Sequence, residues 1–336
     1  MKAALVYSGA ADYSADNQDT LVQLEEISLI LESLNIETYE VAFNESVGEI
    51  EQELLRIKPD FVFNLVETLN GTDSLIYLAA ALYEMMKIPY TGCSAISLAM
   101  LTSKIQQKQM LRQAGLPTPD YFYDQTESDF FGATVFSDGP WIVKSDSEHA
   151  SVGMNSDSVV QTVAEAKQKI KQSKKTFGGE WFAERFIDGR EFNLSLLPTK
   201  SGKPRVLPPA EICFVNFPKD KPKIVDYAAK WDLNSEVYQA TQRSFEFAPD
   251  DKNLLLKLEK ICHQCWQLFG LKGAARIDFR IDDNGNPWIL EINANPCLSS
   301  DAGFMVAATK AELSPQDVIK KLLPGTILTR VLSQDV

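Results

Sequence analysis

Histidine is almost absent from this chain: 336 residues hold two, His149 and His263, far apart in sequence. That argues against a histidine-based metal site and leaves a Ser-His-Asp triad without motif support. Positive charge is also short. Thirty-three Lys and Arg against 46 Asp and Glu leave a net charge of −13. A nucleic-acid partner needs a basic surface and is not expected, nor is an anionic membrane. No apolar run reaches the length of a membrane span. The start, MKAALVYSGA, carries one Lys and an apolar stretch too short for a signal-peptide core, and reads as a first strand. The five cysteines (93, 213, 262, 265 and 297) are sparse and odd in number, which fits a reducing cytoplasm. Cys262 and Cys265 form a lone C-x-x-C on a helical apolar stripe with positions 255, 258, 261, 268 and 269, so core packing is expected there. Neither a Walker A loop nor a G-x-G-x-x-G is present.

What is there suits a globular protein of two or three domains, with 45% hydrophobic and 24% charged residues. KAALVYS, ETYEVAF and FVFNLVE read as strands, alternating with helices near 18–34, 46–57 and 73–87. Such alternation implies a wound parallel sheet, which binds ligands at the carboxyl ends of its strands. Asn64 and Glu67 sit at one such end. After IPYTGC a helix is expected over 94–114, then a proline-marked joint, GLPTPDYF. WIVKSD, EWFAERFI and EFNLSLLP are further strands, with a helix over 162–175 between the first two. A long polar connection, 216–246, precedes a helix over 251–270.

The stretch ARIDFRIDDNGNPWILEINANP, 275–296, reads as a hairpin around Asn284-Gly285, a pair that tolerates the positive φ of a type I′ turn. A two-residue loop there sets Asp278 opposite Glu291 and Arg276 opposite Asn293, all four on one face. Opposed carboxylates repel unless a cation lies between them. Carboxylates and an amide oxygen without His or Cys suit a hard ion, Mg²⁺ first. An arginine alongside suits a phosphoryl group. An ordinary polar face laced with cross-strand ion pairs satisfies the same pattern.

Other pieces are individually weak. Lys144 ends a strand just before HASVGM, whose small residues would let backbone N–H groups approach a phosphate. The turn in WFAERFIDGRE could hold adenine through backbone groups at Phe186 and Ile187, and ribose through a carboxylate.

The order of the pieces is specific. FNLVE, PYTGC, TSKIQQKQMLRQAGLPTP, IVK, ASVGM, GREFNLSLLP, LPPAEI, DYAAKW and ARIDFRI–LEINANP together resemble the ATP-grasp superfamily, D-alanine–D-alanine ligase-like branch, over nearly the whole chain. The resemblance implies an α/β protein (α+β in its ATP-binding part) of three lobes, an N-terminal wound lobe (1–94), a central lobe (95–186) and a C-terminal lobe (187–336). It implies ATP held by Lys104, Lys144, Ser151, Gly153, Glu184 (adenine), Phe186, Ile187 and Glu191 (ribose). Asp278, Glu291 and Asn293 would bind Mg²⁺, with Mn²⁺ as a substitute. Arg276 would act on the transferring phosphoryl group, and Lys230 and Trp231 would lie on a lid, 216–246. Small amino-acid-like substrates would meet Glu67, Ser299 and Asp301, in a homodimer.

Four departures from D-alanine ligases are visible. SGAADYSADNQD lacks the family's ammonium-binding glutamate, Ala150 stands for a serine, Trp231 for a tyrosine, and Ala302 for a carboxylate-gripping serine. The ATP and metal parts match while the amino-acid parts differ. The expectation is therefore a carboxylate–amine ligase making a product other than D-alanyl-D-alanine; a rebuilt D-alanine ligase is the alternative, and a non-catalytic ATP-binding protein the reading of another class.

Overall fold

The computed structural model describes residues 1–9, 15–44, 46–123, 136–147, 153–218, 220–232 and 235–333, with backbone only at 15–17 and 231. The N-terminal part runs β1 (Lys2–Ser8), α1 (Ala15–Ser33), β2 (Glu37–Phe43), α2 (Val47–Ile57), β3 (Phe61–Leu65) and α3 (Tyr77–Met86). Its strands pair in parallel in the order β2-β1-β3. β1 is apolar throughout because both its faces are covered. Ala4 and Val6 join a core with Ile50 and Leu54 of α2, while Ala3 and Leu5 join one with Leu24 and Ile27 of α1.

The helix expected over 94–114 is two helices, α4 (Ala95–Leu101) and α5 (Lys104–Gln113). The break has a local cause: the Ser103 hydroxyl accepts the Gln106 N–H at 3.1 Å and starts a new helix. The joint after α5 is packed rather than free. The Ile289 N–H donates to the Pro117 carbonyl (2.9 Å) and the Thr118 hydroxyl to the Ile289 carbonyl (3.0 Å).

Next come β4 (Tyr121–Tyr123), β5 (Trp141–Ser145), β6 (Val159–Val160), α6 (Val163–Phe177) and β7 (Trp181–Arg185). They form an antiparallel sheet, β4-β7-β5-β6, with Ala166 and Ile170 of α6 packed on Trp141, Val143 and Trp181. β8 (Arg190–Leu197), β9 (Arg205–Val206) and β10 (Ala210–Phe214) begin the last sheet. The polar connection 216–246 is not a bare loop: it holds α7 (Tyr227–Trp231), α8 (Glu236–Ala240) and β11 (Thr241–Ser244), which pairs with β10. Then follow α9 (Lys252–Leu268), β12 (Ala275–Ile281), β13 (Pro287–Asn293), α10 (Gly303–Lys310), α11 (Pro315–Leu322) and α12 (Gly325–Leu332). The strand order is β11-β10-β8-β12-β13, with β9 on β8. Phe192, Leu194, Ile277, Phe279, Ile289 and Ile292 pack on α9, where Cys262 and Cys265 are fully buried. All five cysteines are unpaired, as core packing of the C-x-x-C requires. Among the described residues no helix is long and apolar enough to cross a membrane.

The β12–β13 hairpin reaches its expected pairing by an unexpected route. The loop is three residues, not two: Asp282 N–H donates to the Asn286 carbonyl (3.0 Å), and only Gly285 in the turn has positive φ, +75°. Near the turn Arg280 therefore faces Trp288 and Phe279 faces Ile289, one residue out of the expected register. A bulge between Asp278 and Phe279 then restores Asp278 opposite Glu291 and Arg276 opposite Asn293. It also switches the odd positions of β13 from the core, where Pro287 and Ile289 are buried, to the opposite face, where Glu291 and Asn293 lie.

Candidate functional site

The polar face of the last sheet floors a cleft of about 610 Å³, a size suited to a small-molecule ligand. Side chains stand on it in rows set by the register. Asn193, Asp278 and Glu291 form one row across β8, β12 and β13, and Ser195, Arg276 and Asn293 the next. Arg276 grips Asp278 with both ends of its guanidinium (2.8 Å each), and Asn193 donates to Asp278 Oδ1 at 2.8 Å. Glu291 lies 3.5 Å from the Lys104 ammonium, delivered by the first turn of α5. Asn293 Oδ1 accepts the Asn295 N–H at 2.9 Å.

One wall comes from β5 and β7. Lys144 and the buried Glu184 pair at 2.5 Å, and the fully buried Lys108 of α5 takes the other carboxylate oxygen. Burial pushes the Glu184 carboxyl up, but the two ammonium groups outweigh it and hold it below the usual range. Burial also depresses the Lys108 pKa, which Glu184 counters. Phe186 and Ile187 continue this wall, the Phe186 N–H donating to the Pro140 carbonyl at 2.9 Å. Glu191 also lines the cleft, and one of its oxygens lies 2.7 Å from Arg280. Gly153 is left-handed (φ +69°) and packs against Trp181 and Phe177, so Met154 rather than Gly153 faces the cleft. Ser151 lies outside the described residues, as do Ala150 and the Trp231 side chain. Lys230, on α7, borders the site; burial and then the Arg276 charge lower its pKa, with Glu291 and Asp278 opposing.

The far end of the cleft is acidic. Glu67, Asp19 and Asp301 all line it. Gln23 donates to Glu67 (3.0 Å), and the buried Ser299 hydroxyl lies 3.1 Å from Asp19 Oδ1 and 3.2 Å from Asp301 Oδ1. The Cys297 thiol donates to Asp19 Oδ2 at 3.0 Å. Burial foremost, then the Glu67 and Asp19 charges, raise its pKa and keep it a thiol. Asn64 takes no part. It is buried in β3, its amide oxygen accepting from Tyr83 at 3.3 Å.

Sequence reasoning missed three residues here. Lys108 carried a signal, four residues after Lys104 in one helix. Asp19 lies in the segment noted for lacking a glutamate. Arg243, on β11, lines the cleft but was hidden in the polar connection. Neither had a local pattern to mark it.

With lysines on one wall of the cleft and a carboxylate–guanidinium floor, the protein is an ATP-grasp enzyme of the ligase class, as its family match and curated relatives show. The solved structure of the Bacillus anthracis D-alanine–D-alanine ligase complexed with ATP superposes on the whole of both chains with a TM-score of 0.72 at 19% identity, a likeness of fold. Residues 110–324 match the family described as D-ala D-ala ligase C-terminus. A D-alanine–D-alanine ligase of Laribacter hongkongensis is 30% identical over 240 residues, 71% of each chain. One of Aquifex aeolicus is 27% identical over 311 residues, 92% of this chain and 96% of its own. The chain belongs to the D-alanine–D-alanine ligase family, whose members use ATP.

Proposed function

We propose that the protein is an ATP-dependent carboxylate–amine ligase that joins amino acids, or an amino acid and a related acid or amine, into a product other than D-alanyl-D-alanine. The observation that carries this reading is the contrast between the two ends of one cleft. Lys144, Arg276, Asp278, Glu291 and Asn293 line one end, with Lys104 behind Glu291 at 3.5 Å, whereas the far end holds Asp19 and Asp301 around Ser299, beside an Ala302 that has no hydroxyl. Three lobes, 1–94, 95–186 and 187–336, are part of the reading, with the nucleotide between the second and third.

The donor set fits magnesium. Among the described residues no three His, Cys, Asp or Glu are placed to hold a metal ion by themselves; the donors on the floor are two carboxylates, Asp278 and Glu291, and the Asn293 amide oxygen. That leaves ligand positions for phosphate oxygens and water, as Mg²⁺ prefers. Bound there, Mg²⁺ would neutralise charge on the transferring phosphoryl group. Lys104 and Lys144 hold the phosphates, and Phe186, Ile187, Glu184 and Glu191 border the nucleoside. The substrate carboxylate attacks the γ-phosphorus, ADP leaves, and an acyl phosphate forms. The amine then attacks the acyl carbon and expels phosphate, with Arg276 facing the oxyanion. Lys230 and the 216–246 segment exclude water, which would otherwise hydrolyse the acyl phosphate.

Incubation with ATP, Mg²⁺ and pooled D- and L-amino acids tests the reading, with ADP followed enzymatically and products identified by mass spectrometry. ADP release with a conjugate other than D-alanyl-D-alanine is expected. Robust D-alanyl-D-alanine formation at modest D-alanine would refute the altered specificity while leaving the ligase class intact.

A further inference from the structure

Among the described residues five arginines stand on the strands of the cleft sheet; Arg205, on β9, is exposed and donates to the Ala311 carbonyl at 3.3 Å, and three of the other four have carboxylate partners. Arg276 holds Asp278 (2.8 Å), Arg280 pairs with Glu191 (2.7 Å), and Arg190 pairs with Glu211 (2.8 Å) and Asp251. Those pairs build the floor and fix its rows. The fourth, Arg243, differs. It lines the cleft from β11, yet among the described residues no carboxylate lies within ion-pair distance of it. Its one described hydrogen bond is long, 3.4 Å from Nη1 to the Asp301 carbonyl oxygen. Burial foremost, then the Arg276 charge, lower its pKa, with the Asp301 charge opposing. An anion between the two guanidinium groups would offset the Arg276 charge and occupy a planar fork suited to bidentate binding.

The position says which anion. The guanidinium lies over the start of α10: a Cβ placed on Gly303 would sit 3.5 Å from its Nε and 3.6 Å from its Nη2. Asp19, Ser299 and Asp301 gather at this end, whereas Lys144 and Glu184 stand on the nucleotide wall. Ala302, the cap of α10, has no side chain that could bind an anion. We propose that Arg243 is a specificity-determining residue of the ligase, receiving a carboxylate of the amine substrate above the start of α10. The proposal rests on the ligase reading and adds the residue that replaces a hydroxyl missing from the tail. It places the substrate carboxylate on the 216–246 connection, whose described residues Ile224, Ala229, Lys230 and Tyr238 also line the cleft.

The test is a competition. Wild type, Arg243→Met and Arg243→Lys receive ATP, Mg²⁺ and each D- or L-amino acid with an equal concentration of its primary amide. Mass spectrometry reads the ratio of acid-ended to amide-ended products, which is the ratio of kcat/KM values for the amine substrate. Wild type is expected to favour the acid at least tenfold. Losing a charge-assisted hydrogen bond of this kind should cut the preference by about 10- to 100-fold in Arg243→Met. Arg243→Lys should keep an intermediate preference, and the KM for ATP should stay within about twofold of wild type in both. A general folding defect lowers both products equally and leaves the ratio unmoved. An unchanged ratio in Arg243→Met, or a rise in the KM for ATP in its place, overturns the proposal. Absence of ADP release by wild type with every amino acid overturns the ligase reading, and this inference with it.

Discussion

Replacing Lys108 with Met isolates the buried ion triad behind the nucleotide wall. The Lys108 and Glu184 side chains are each 1% exposed, so neither charge has water to fall back on. Methionine fills most of the lysine stem, which keeps the cavity contribution small. Thr118 keeps its own bond to the Ile289 carbonyl. What is lost is one of two cations on a buried carboxylate. Breaking such a pair costs about 3–5 kcal/mol, and because Lys144 remains 2.5 Å from Glu184 we expect the lower end, about 3 kcal/mol. Urea denaturation followed by tryptophan fluorescence measures it. Adding Glu184→Gln should recover about 1–2 kcal/mol, because the carboxylate charge is gone, while Lys144, 19% exposed, gives up its partner and keeps the recovery below complete. The penalty also has a pH signature. In the wild type Glu184 has a lowered pKa, so its stabilisation is present above the unfolded carboxyl pKa and is lost as pH falls through the folded value. Without Lys108 that pKa rises, so the difference between variant and wild type should shrink from pH 7 towards about pH 4. A Lys108→Met protein within 1 kcal/mol of wild type at pH 7, or a penalty independent of pH, would refute the reasoning.

Asp278→Asn removes one carboxylate of the row and loosens Arg276; ADP release should fall by about 100-fold or more, and a variant with near-normal turnover would remove Asp278 from the metal site. Gly153→Ala forces a left-handed residue to carry a Cβ only 2.9 Å from Trp181, which should cost about 1–2 kcal/mol for the backbone alone, and unchanged stability in urea would count against the left-handed turn.

The hairpin shows how sequence and structure divided the work. The facing pairs Arg276–Asn293 and Asp278–Glu291 were legible from alternation around Asn284-Gly285, and they are the pairs the sheet makes. They arise through two local features that cancel: a loop one residue longer than a type I′ turn, and a bulge that returns the register. Alternating polarity could not reveal the bulge, because Glu291 and Ile289 share parity in the sequence and face opposite ways in the sheet. Helix α5 teaches the same lesson. The expected long helix passed through Ser103, whose capping hydroxyl starts the segment that carries Lys104 and Lys108.

By itself, the sequence determined the alternating N-terminal elements, the buried C-x-x-C, the order of the ATP-grasp motifs and the departures at the amino-acid end. These are local or ordered properties, written in periodicity, caps and spacing. Only the tertiary structure decided that Lys108 and Lys144 share Glu184 and that Asp19 meets Ser299, 280 residues away. It alone brought Arg243 to the start of α10. Such contacts depend on which strands become neighbours and how helices pack on them. Nothing in the local pattern around Asp19 or Arg243 records a partner that the chain reaches only after folding back on itself.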